Sequence, residues 1–277
     1  MKKLLAALLL GVTGFCFAET TPLMVSFITP LQEPIPDYDV TGLRLSLIYG
    51  ECNDFAGLDI GFVNHTLGDF AGVSIGAGNI ADNKLYGIQM GAVNYAQTFY
   101  GLQLSALNLA NEEFEGVQLG GVNCTKNMAG IQLGGISVAD DGKASGLQWS
   151  AINYAGTMDI GLQLGAINCA KELDGLQIGA WNMVVDEGKA RGLQLGALNY
   201  TRTMEGGVQI GAINCAKNLS GVQAGCLNVV YDGKTSGLQL GVINYSRMMN
   251  GGLQIGLLNF IANNEAVPFL PLINGNF

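Results

Sequence analysis

The stretch Gly161-Leu-Gln-Leu-Gly-Ala-Ile-Asn168 decides the fold, because close copies of it recur along most of the chain. Places are counted from the opening glycine, so that Leu162 is in the first place and Asn168 is in the seventh. A period this short and regular indicates a repeat architecture whose units pack on their neighbours. Fifteen units follow one another at spacings of 14 to 17 residues, opening on Gly42, Gly57, Gly72, Gly87, Gly101, Gly116, Gly130, Gly146, Gly161, Gly175, Gly192, Gly207, Gly221, Gly237 and Gly252.

The pattern inside each unit predicts a bent strand. The first place is Leu, Ile or Val in every unit, the third is large and apolar except at Ala224, and the fourth is always Gly or Ser. The sixth place is apolar except at Gly78, and the seventh is Asn except at Tyr49 and Ser137. Side chains alternate along a strand, so the first and third places share one side, but the next apolar pair, at the sixth and eighth places, is out of phase. The backbone must therefore bend near the small fourth residue.

Bent strands of this kind predict an all-β fold, a β-solenoid of about fifteen stacked coils. Both apolar pairs are expected inside one continuous core, with each backbone paired to the coils above and below. All six prolines lie outside the repeats, as expected if every coil uses its N–H groups for the ladder. These are Pro22, Pro30, Pro34, Pro36, Pro268 and Pro271.

An outer-membrane β-barrel is the alternative fold, because exported chains with many strands of about ten residues and a terminal aromatic residue also fit that class. The repeats argue against it through a longer period. Gly101, Gly146, Gly192 and Gly237 are spaced by 45, 46 and 45 residues, and each three-coil group carries one long Asp/Glu-Gly-Lys loop. An odd number of antiparallel strands would send successive loops to opposite sides of a membrane, whereas a solenoid places them in one row.

The regions outside the repeats divide the chain into four parts. Residues 1–18 have the basic start, apolar stretch and small final residues of a secretory signal peptide. Residues 19–41 are expected to form an N-terminal cap, residues 42–261 the repeat domain and residues 262–277 a C-terminal cap, since solenoids must protect their open ends. Lipidation of Cys16 is a minor alternative, because the bulky Phe15 precedes it. No later segment has about 20 consecutive apolar residues, so no transmembrane helix is expected after cleavage.

Composition argues against catalysis and nucleic-acid binding. Charged residues make up 13% of the chain, the net charge is −9 and one histidine is present. That histidine, His65, is in the eighth place of its unit and is interpreted as a core or corner residue. The Asp-Gly-Lys loops lack the ligand spacing of a calcium loop, and no metal, cofactor or catalytic residue is predicted. Cys124, Cys169 and Cys215, in the eighth place of units three coils apart, are expected to be small buried hydrophobic residues.

A glutamine in the second place of twelve consecutive units is the candidate interaction surface. This column is expected on the side opposite the Leu pairs, where a regular polar surface would fit a repetitive partner. Envelope or host glycans, or another envelope protein, are the expected partners. The structural alternative is that stacked Gln and Asn amides bond up and down their columns. The twelve residues are Gln89, Gln103, Gln118, Gln132, Gln148, Gln163, Gln177, Gln194, Gln209, Gln223, Gln239 and Gln254.

Several segments together resemble a bacterial family of exported surface-repeat proteins with tandem Gly-x-Gln-x-Gly-x-x-Asn units. The likeness is carried near the N-terminal end by Pro30-Leu-Gln-Glu-Pro-Ile-Pro36, Val40-Thr-Gly-Leu-Arg-Leu-Ser-Leu-Ile-Tyr-Gly50 and Gly57-Leu-Asp-Ile-Gly-Phe-Val-Asn64. After the repeats it is carried by Val267-Pro-Phe-Leu-Pro-Leu-Ile-Asn274 and the terminal Phe277. The resemblance implies a location in the periplasm, outer membrane or cell surface of a Gram-negative-type bacterium. It implies no activity and no functional residues.

The sequence therefore predicts a non-enzymatic repeat protein of the cell envelope that acts as a structural or binding module. Membrane association without a transmembrane helix is compatible with this prediction. The alternatives are an outer-membrane barrel or pore and a glycan-active β-helix enzyme. An enzyme would need acids and a basic group on neighbouring coils, and the sequence spreads its acids one per coil.

Overall fold

The computed structural model describes residues 20–276 and is all-β, with 89% of residues in strands. No helix among these residues is long and apolar enough to cross a membrane. The strands are β1 Thr20–Ile28, β2 Leu31–Glu33, β3 Asp39–Cys52, β4 Phe55–Thr66, β5 Phe70–Ile75, β6 Gly78–Met90, β7 Val93–Ala190, β8 Leu193–Thr235, β9 Leu238–Met249, β10 Gly252–Ile261 and β11 Phe269–Asn276.

The strands form a β-solenoid of about 16 turns, which confirms the predicted fold. Successive coils pair in parallel and in register, so that Gly42 lies beside Gly57 and Gly57 beside Gly72. The register skips the fifth place of each unit, where the backbone bends; Gly241 pairs with Gly256 and the next pair is Ile243 with Leu258. The alternative of an outer-membrane barrel is wrong, because each coil stacks in parallel on the one before it.

The chain divides into two compact units, Met1–Val138 and Ala139–Phe277. In the N-terminal unit, β1 stacks in parallel on β3 and the short β2 pairs antiparallel with β1. In the C-terminal unit, β11 turns back and pairs antiparallel with β10. These antiparallel strands lie in the segments predicted as caps. The predicted signal peptide and Cys16 lie outside the described residues.

Among the first eight places, the side chains that fill the inside of each coil are the polar ones, which is the reverse of the expectation. Gln163 is fully buried, whereas its neighbours Leu162 and Leu164 are only half-buried on the outside. The second and seventh places face inward and the first, third, sixth and eighth face outward in the described coils from Gly87 onward. The expectation that both apolar pairs fill the core is therefore wrong. The alternation of side chains was correctly predicted, but the amides take the inner side because they can bond to each other and to the backbone.

Apolar packing is confined to the wide part of each coil. One column is the ninth place, in which alanine is the most frequent residue, and the other lies two or three residues before the next opening glycine. The aromatic rings of this second column stack, with centroids of Phe55 and Phe70 5.1 Å apart. The sequence indicates this column through the residue two or three places before each glycine, which is large and apolar except at Ala144, Ala190 and Thr235. The column comprises Phe55, Phe70, Leu85, Phe99, Phe114, Met128, Ala144, Met158, Leu173, Ala190, Met204, Leu219, Thr235 and Met249.

Two places require glycine for different reasons. The opening Gly72 has a φ of 150°, and a Cβ there would collide with the carbonyl oxygen of Gly57 in the preceding coil. At the fourth place, a Cβ on Gly165 would lie 2.6 Å from Nδ2 of Asn153 and would also collide with the carbonyl oxygen of Ser150. The opening glycine thus permits close stacking of coils, and the fourth-place glycine leaves room for the asparagine amide.

Candidate functional site

The glutamine column is a buried hydrogen-bonded ladder. Nε2 of Gln163 donates to Oε1 of Gln148 at 2.8 Å and to the carbonyl oxygen of Cys169 at 3.2 Å, and Oε1 accepts from Gln177 at 2.7 Å. Equivalent bonds link each glutamine to the one in the next coil, from Gln89 to Gln132 in the N-terminal unit and from Gln148 to Gln254 in the C-terminal unit.

All twelve glutamines are at most 1% exposed, so they cannot form the expected docking surface. The reason is chemical. A glutamine that faces inward can satisfy its amide with two neighbouring coils and its own backbone, and a buried amide costs little when every polar atom is bonded. The candidate binding surface must therefore lie on the outward side chains.

The asparagines form a second ladder of opposite direction. Nδ2 of Asn153 donates to Oδ1 of Asn168 in the following coil at 2.8 Å and to the carbonyl oxygen of Leu164 at 2.8 Å. The glutamine amides donate toward the preceding coil, whereas the asparagine amides donate toward the following one. The second bond joins the seventh place of one coil to the third-place backbone of the following coil. Equivalent bonds run from Asn64 to Asn123 and from Asn153 to Asn259.

A buried ion pair replaces the glutamine ladder at the N-terminal end. Arg44 and Asp59 occupy the second place of consecutive coils, are fully buried, and form two bonds: Nε to Oδ1 at 2.8 Å and Nη2 to Oδ2 at 2.6 Å. The hydroxyl of Ser74, in the same column, also donates to Asp59. Burial opposes the guanidinium charge, but the bonds to Asp59 outweigh it and raise the pKa of Arg44. This pair is structural, because both partners face inward.

The outward side chains of the C-terminal unit form two apolar surfaces. Face A comprises the first and third places of its eight coils, from Leu147 to Ile255, and face B the sixth and eighth places, from Ile152 to Phe260. Every described side chain in both faces is half-buried or exposed, and none is charged. Faces A and B meet at the fourth and fifth places, which are mostly Gly and Ala. They are the largest candidate binding surface of this unit.

The two tryptophans of the chain mark the two faces. Trp149 lies on face A and is 60% exposed, and Trp181 lies on face B and is 51% exposed. Beside Trp181, the side chains of Met183, Leu198 and Tyr200 line a shallow apolar depression. Large apolar side chains this exposed on adjoining surfaces indicate contact with an apolar partner.

The charged side chains that the structure describes in the C-terminal unit lie on the remaining side, the charged edge, which comprises the loops between the ninth place and the next opening glycine. Adjacent coils exchange ion pairs along it: Lys189 with Glu205 at 2.9 Å, and Lys217 with Asp232 at 3.7 Å. Arg247 also pairs with Asp232. The Asp-Gly-Lys loops belong to this edge. The unit carries eight basic and ten acidic residues, so its edge is nearly neutral.

One polar cluster lies on the outside of the N-terminal unit around His65. Nδ1 of His65 is 2.6 Å from the hydroxyl of Tyr49 and 3.2 Å from Glu51, and Nε2 is 2.8 Å from Asp82. Burial and the bond to Glu51 raise the pKa of Tyr49. Both ring nitrogens of His65 are thus engaged by protein groups. In residues 20–276, no group of three or more His, Cys, Asp or Glu side chains could hold a metal ion.

Cys52, Cys169, Cys215 and Cys226 are free thiols. Cys169 and Cys215 are half-buried on face B, and burial raises the pKa of both thiols. The eighth place points outward, so the expectation that this cysteine column lies in the core is wrong. His65, interpreted as a core or corner residue, is half-buried on the outside of its coil. The sequence pattern is consistent with the outward direction, because side chains in the sixth and eighth places lie on the same side of a strand.

Comparison of the chain with protein-family models, with curated proteins and with solved structures found no match. The candidate site thus rests on the geometry of the chain itself.

Proposed function

We propose that the protein is a non-enzymatic structural and binding module of the cell envelope, and that it binds its partner through faces A and B. The observation that carries this proposal is the sorting of side chains in each coil: amides inside, uncharged apolar groups on two outer faces, and charges on the third side. A surface of this kind suits binding over a large area. Burial raises the pKa of the Cys169 and Cys215 thiols on face B and so disfavours their nucleophilic thiolate forms.

The envelope location rests on the signal-like residues 1–18 and on the resemblance to exported surface-repeat proteins. The proposed absence of catalytic activity is supported by the contacts of the polar side chains. The Gln and Asn columns and the Arg44–Asp59 pair form hydrogen bonds inside the coils, and both ring nitrogens of His65 bond to protein groups. Acids and bases do not converge on a cleft in the described part of the C-terminal unit; they pair along its charged edge.

Expression of the full chain in a Gram-negative bacterium tests this function. We expect a mature N-terminus at Glu19 and recovery in the envelope fraction. A photo-crosslinking amino acid at Trp149 or Trp181 should capture envelope material, and the same group at Asn218 on the charged edge should capture much less. Retention in the cytosol with an intact N-terminus, or capture from Asn218 alone, would contradict the proposal.

A further inference from the structure

Each coil of the C-terminal unit is thin at one end and thick at the other. At the thin end, Nε2 of Gln148 bonds to the carbonyl oxygen of Tyr154 in its own coil at 3.1 Å, so one amide fills the space between two strands. At the thick end, Ala155 and Met158 pack between the strands beneath the charged edge. Faces A and B thus form the two sides of a wedge, with small residues at its tip and charges along its base.

The depth of this wedge matches half of a lipid bilayer. From the opening glycine to the fourth place at the tip, a strand covers about 13 Å at about 3.3 Å per residue. The hydrocarbon core of a bilayer is about 30 Å thick, so one leaflet contributes about 15 Å. The apolar sides therefore extend about as far from the tip as acyl chains extend from the bilayer midplane.

The area and arrangement of the two faces favour lipid over a second copy of the chain. Each face presents sixteen mostly apolar side chains, and at roughly 60 Å² each this is about 1,000 Å², above the 300–600 Å² of the largest apolar patch on a typical monomer. One such face already supplies the roughly 800 Å² per partner that a stable dimer needs. A dimer would therefore leave the other face uncovered, whereas acyl chains surround both faces and the tip together.

The tyrosines and charged side chains lie toward the base of the wedge, where the headgroups of a leaflet would be. Tyr154, Tyr200 and Tyr245 lie in the eighth place of face B, nearer to the charged base than Trp181 in the sixth. Tyrosines at that level are typical of the interface between acyl chains and headgroups. The base itself carries balanced charges joined in ion pairs, so binding does not depend on anionic lipid.

We infer that the wedge formed by faces A and B of the C-terminal unit inserts into one leaflet of a lipid membrane and leaves the charged edge in water. This inference rests on the proposed function and names its partner. It places both tryptophans among acyl chains, because the third and sixth places adjoin the tip. The backbone of the wedge needs no water, because its amides and carbonyls are bonded within and between coils.

The test uses the mature chain from Glu19 and phosphatidylcholine vesicles. Two variants, Trp149→Phe and Trp181→Phe, each leave one tryptophan as a fluorescent probe. In flotation the chain should rise with the vesicles, with a bound fraction that changes less than twofold between 50 and 500 mM salt. Phosphatidylcholine brominated on its acyl chains should quench the emission of both probes.

Quenching of only one probe, or burial of either through concentration-dependent self-association without lipid, would overturn the inference in favour of a protein interface. Failure to float would also overturn it, and crosslinking of envelope material from Trp149 or Trp181 would then leave the proposed function standing.

A charge variant adds a matched control. Ile210 lies in the third place of face A and is 46% exposed, so Ile210→Lys adds a charge without filling the interior. This variant should lower the constant for partition into the vesicles about 100-fold, in line with the cost of a lysine among acyl chains. Asn218→Lys adds the same charge on the edge and should change binding less than twofold. Circular dichroism of both variants verifies the fold, and equal binding by a folded Ile210→Lys variant would overturn the inference.

Discussion

Gln209 donates a hydrogen bond of 2.8 Å from Nε2 to Oε1 of Gln194, and both side chains are completely buried. The outward neighbours of Gln209 are Val208 and Ile210, which remain partly exposed. The thin end of each coil is filled by bonded amides and not by apolar side chains. Its apolar residues are thereby left for contact with a partner.

Replacement of one ladder amide should destabilise the fold strongly. In Gln209→Leu, the bonds to Gln194, Gln223 and the carbonyl oxygen of Cys215 are lost, and three buried polar atoms lose a partner. At about 1–3 kcal/mol for each unsatisfied group, we expect the free energy of unfolding to fall by at least about 3 kcal/mol. Urea unfolding followed by circular dichroism measures this change.

Gln254→Leu is the matched control for that variant. Gln254 donates to Gln239 and to the carbonyl oxygen of Phe260, but its Oε1 has no partner in the structure. Two bonds are therefore lost instead of three, and the destabilisation should be clearly smaller. Equal effects of the two variants would show that the ladder does not act through its bonds.

The opening glycine should not tolerate alanine, whereas a glycine six residues later should. In Gly72→Ala, the new Cβ collides with the carbonyl oxygen of Gly57 and the φ of 150° strains the residue. We expect loss of the folded state or a fall of more than about 2 kcal/mol in its stability. Gly78→Ala places its Cβ 3.7 Å from a methyl group of Val63, an ordinary contact, and should be nearly neutral. Thermal unfolding compares the two, and similar melting temperatures would contradict the close stacking of coils.

Removal of one partner of the buried ion pair should lower the stability of the fold more than removal of both partners. Arg44→Met leaves the carboxylate of Asp59 buried without its cation, and should destabilise the chain by about 3–5 kcal/mol. The double variant Arg44→Met/Asp59→Leu removes both charges and should recover most of that loss. A double-mutant cycle in urea measures the coupling, and additive effects of the single changes would show that the charges act independently.

Alkaline pH should weaken the fold through Cys52. Burial raises the pKa of this thiol to about 11, so it stays protonated in the folded chain while an unfolded thiol ionises near pH 9. The unfolded chain then binds fewer protons, and stability present below pH 9 is lost as the pH rises toward 11, by about 2–3 kcal/mol for this group. Cys52→Ala should flatten the decline, and the exposed Cys226→Ala should not. A Cys52→Ala chain with an unchanged slope of unfolding free energy against pH would assign the decline to other groups.

The repeat boundaries, a bend near the fourth place and the stacking of coils could be predicted from sequence, because the Gly and Asn periods report backbone geometry directly. The direction of the side chains could not. Alternation places Gln163 opposite Leu162, but it does not say which is inside. Hydrophobicity alone favours burial of the leucine. The glutamine is buried instead because its amide is long enough to reach the glutamine of the neighbouring coil and a backbone carbonyl. The expected Gln surface failed for this reason, and face A was missed with it.

Thiol labelling measures most directly whether amides face inward and apolar residues outward. In a chain whose native cysteines are replaced by alanine, Leu195→Cys and Gln194→Cys place a thiol at neighbouring positions on opposite sides of one strand. In the folded protein, Leu195→Cys should react at least tenfold faster than Gln194→Cys, and in denaturant both should react at the same rate. Faster labelling of Gln194→Cys in the folded chain would contradict the inward ladder and, with it, the apolar faces.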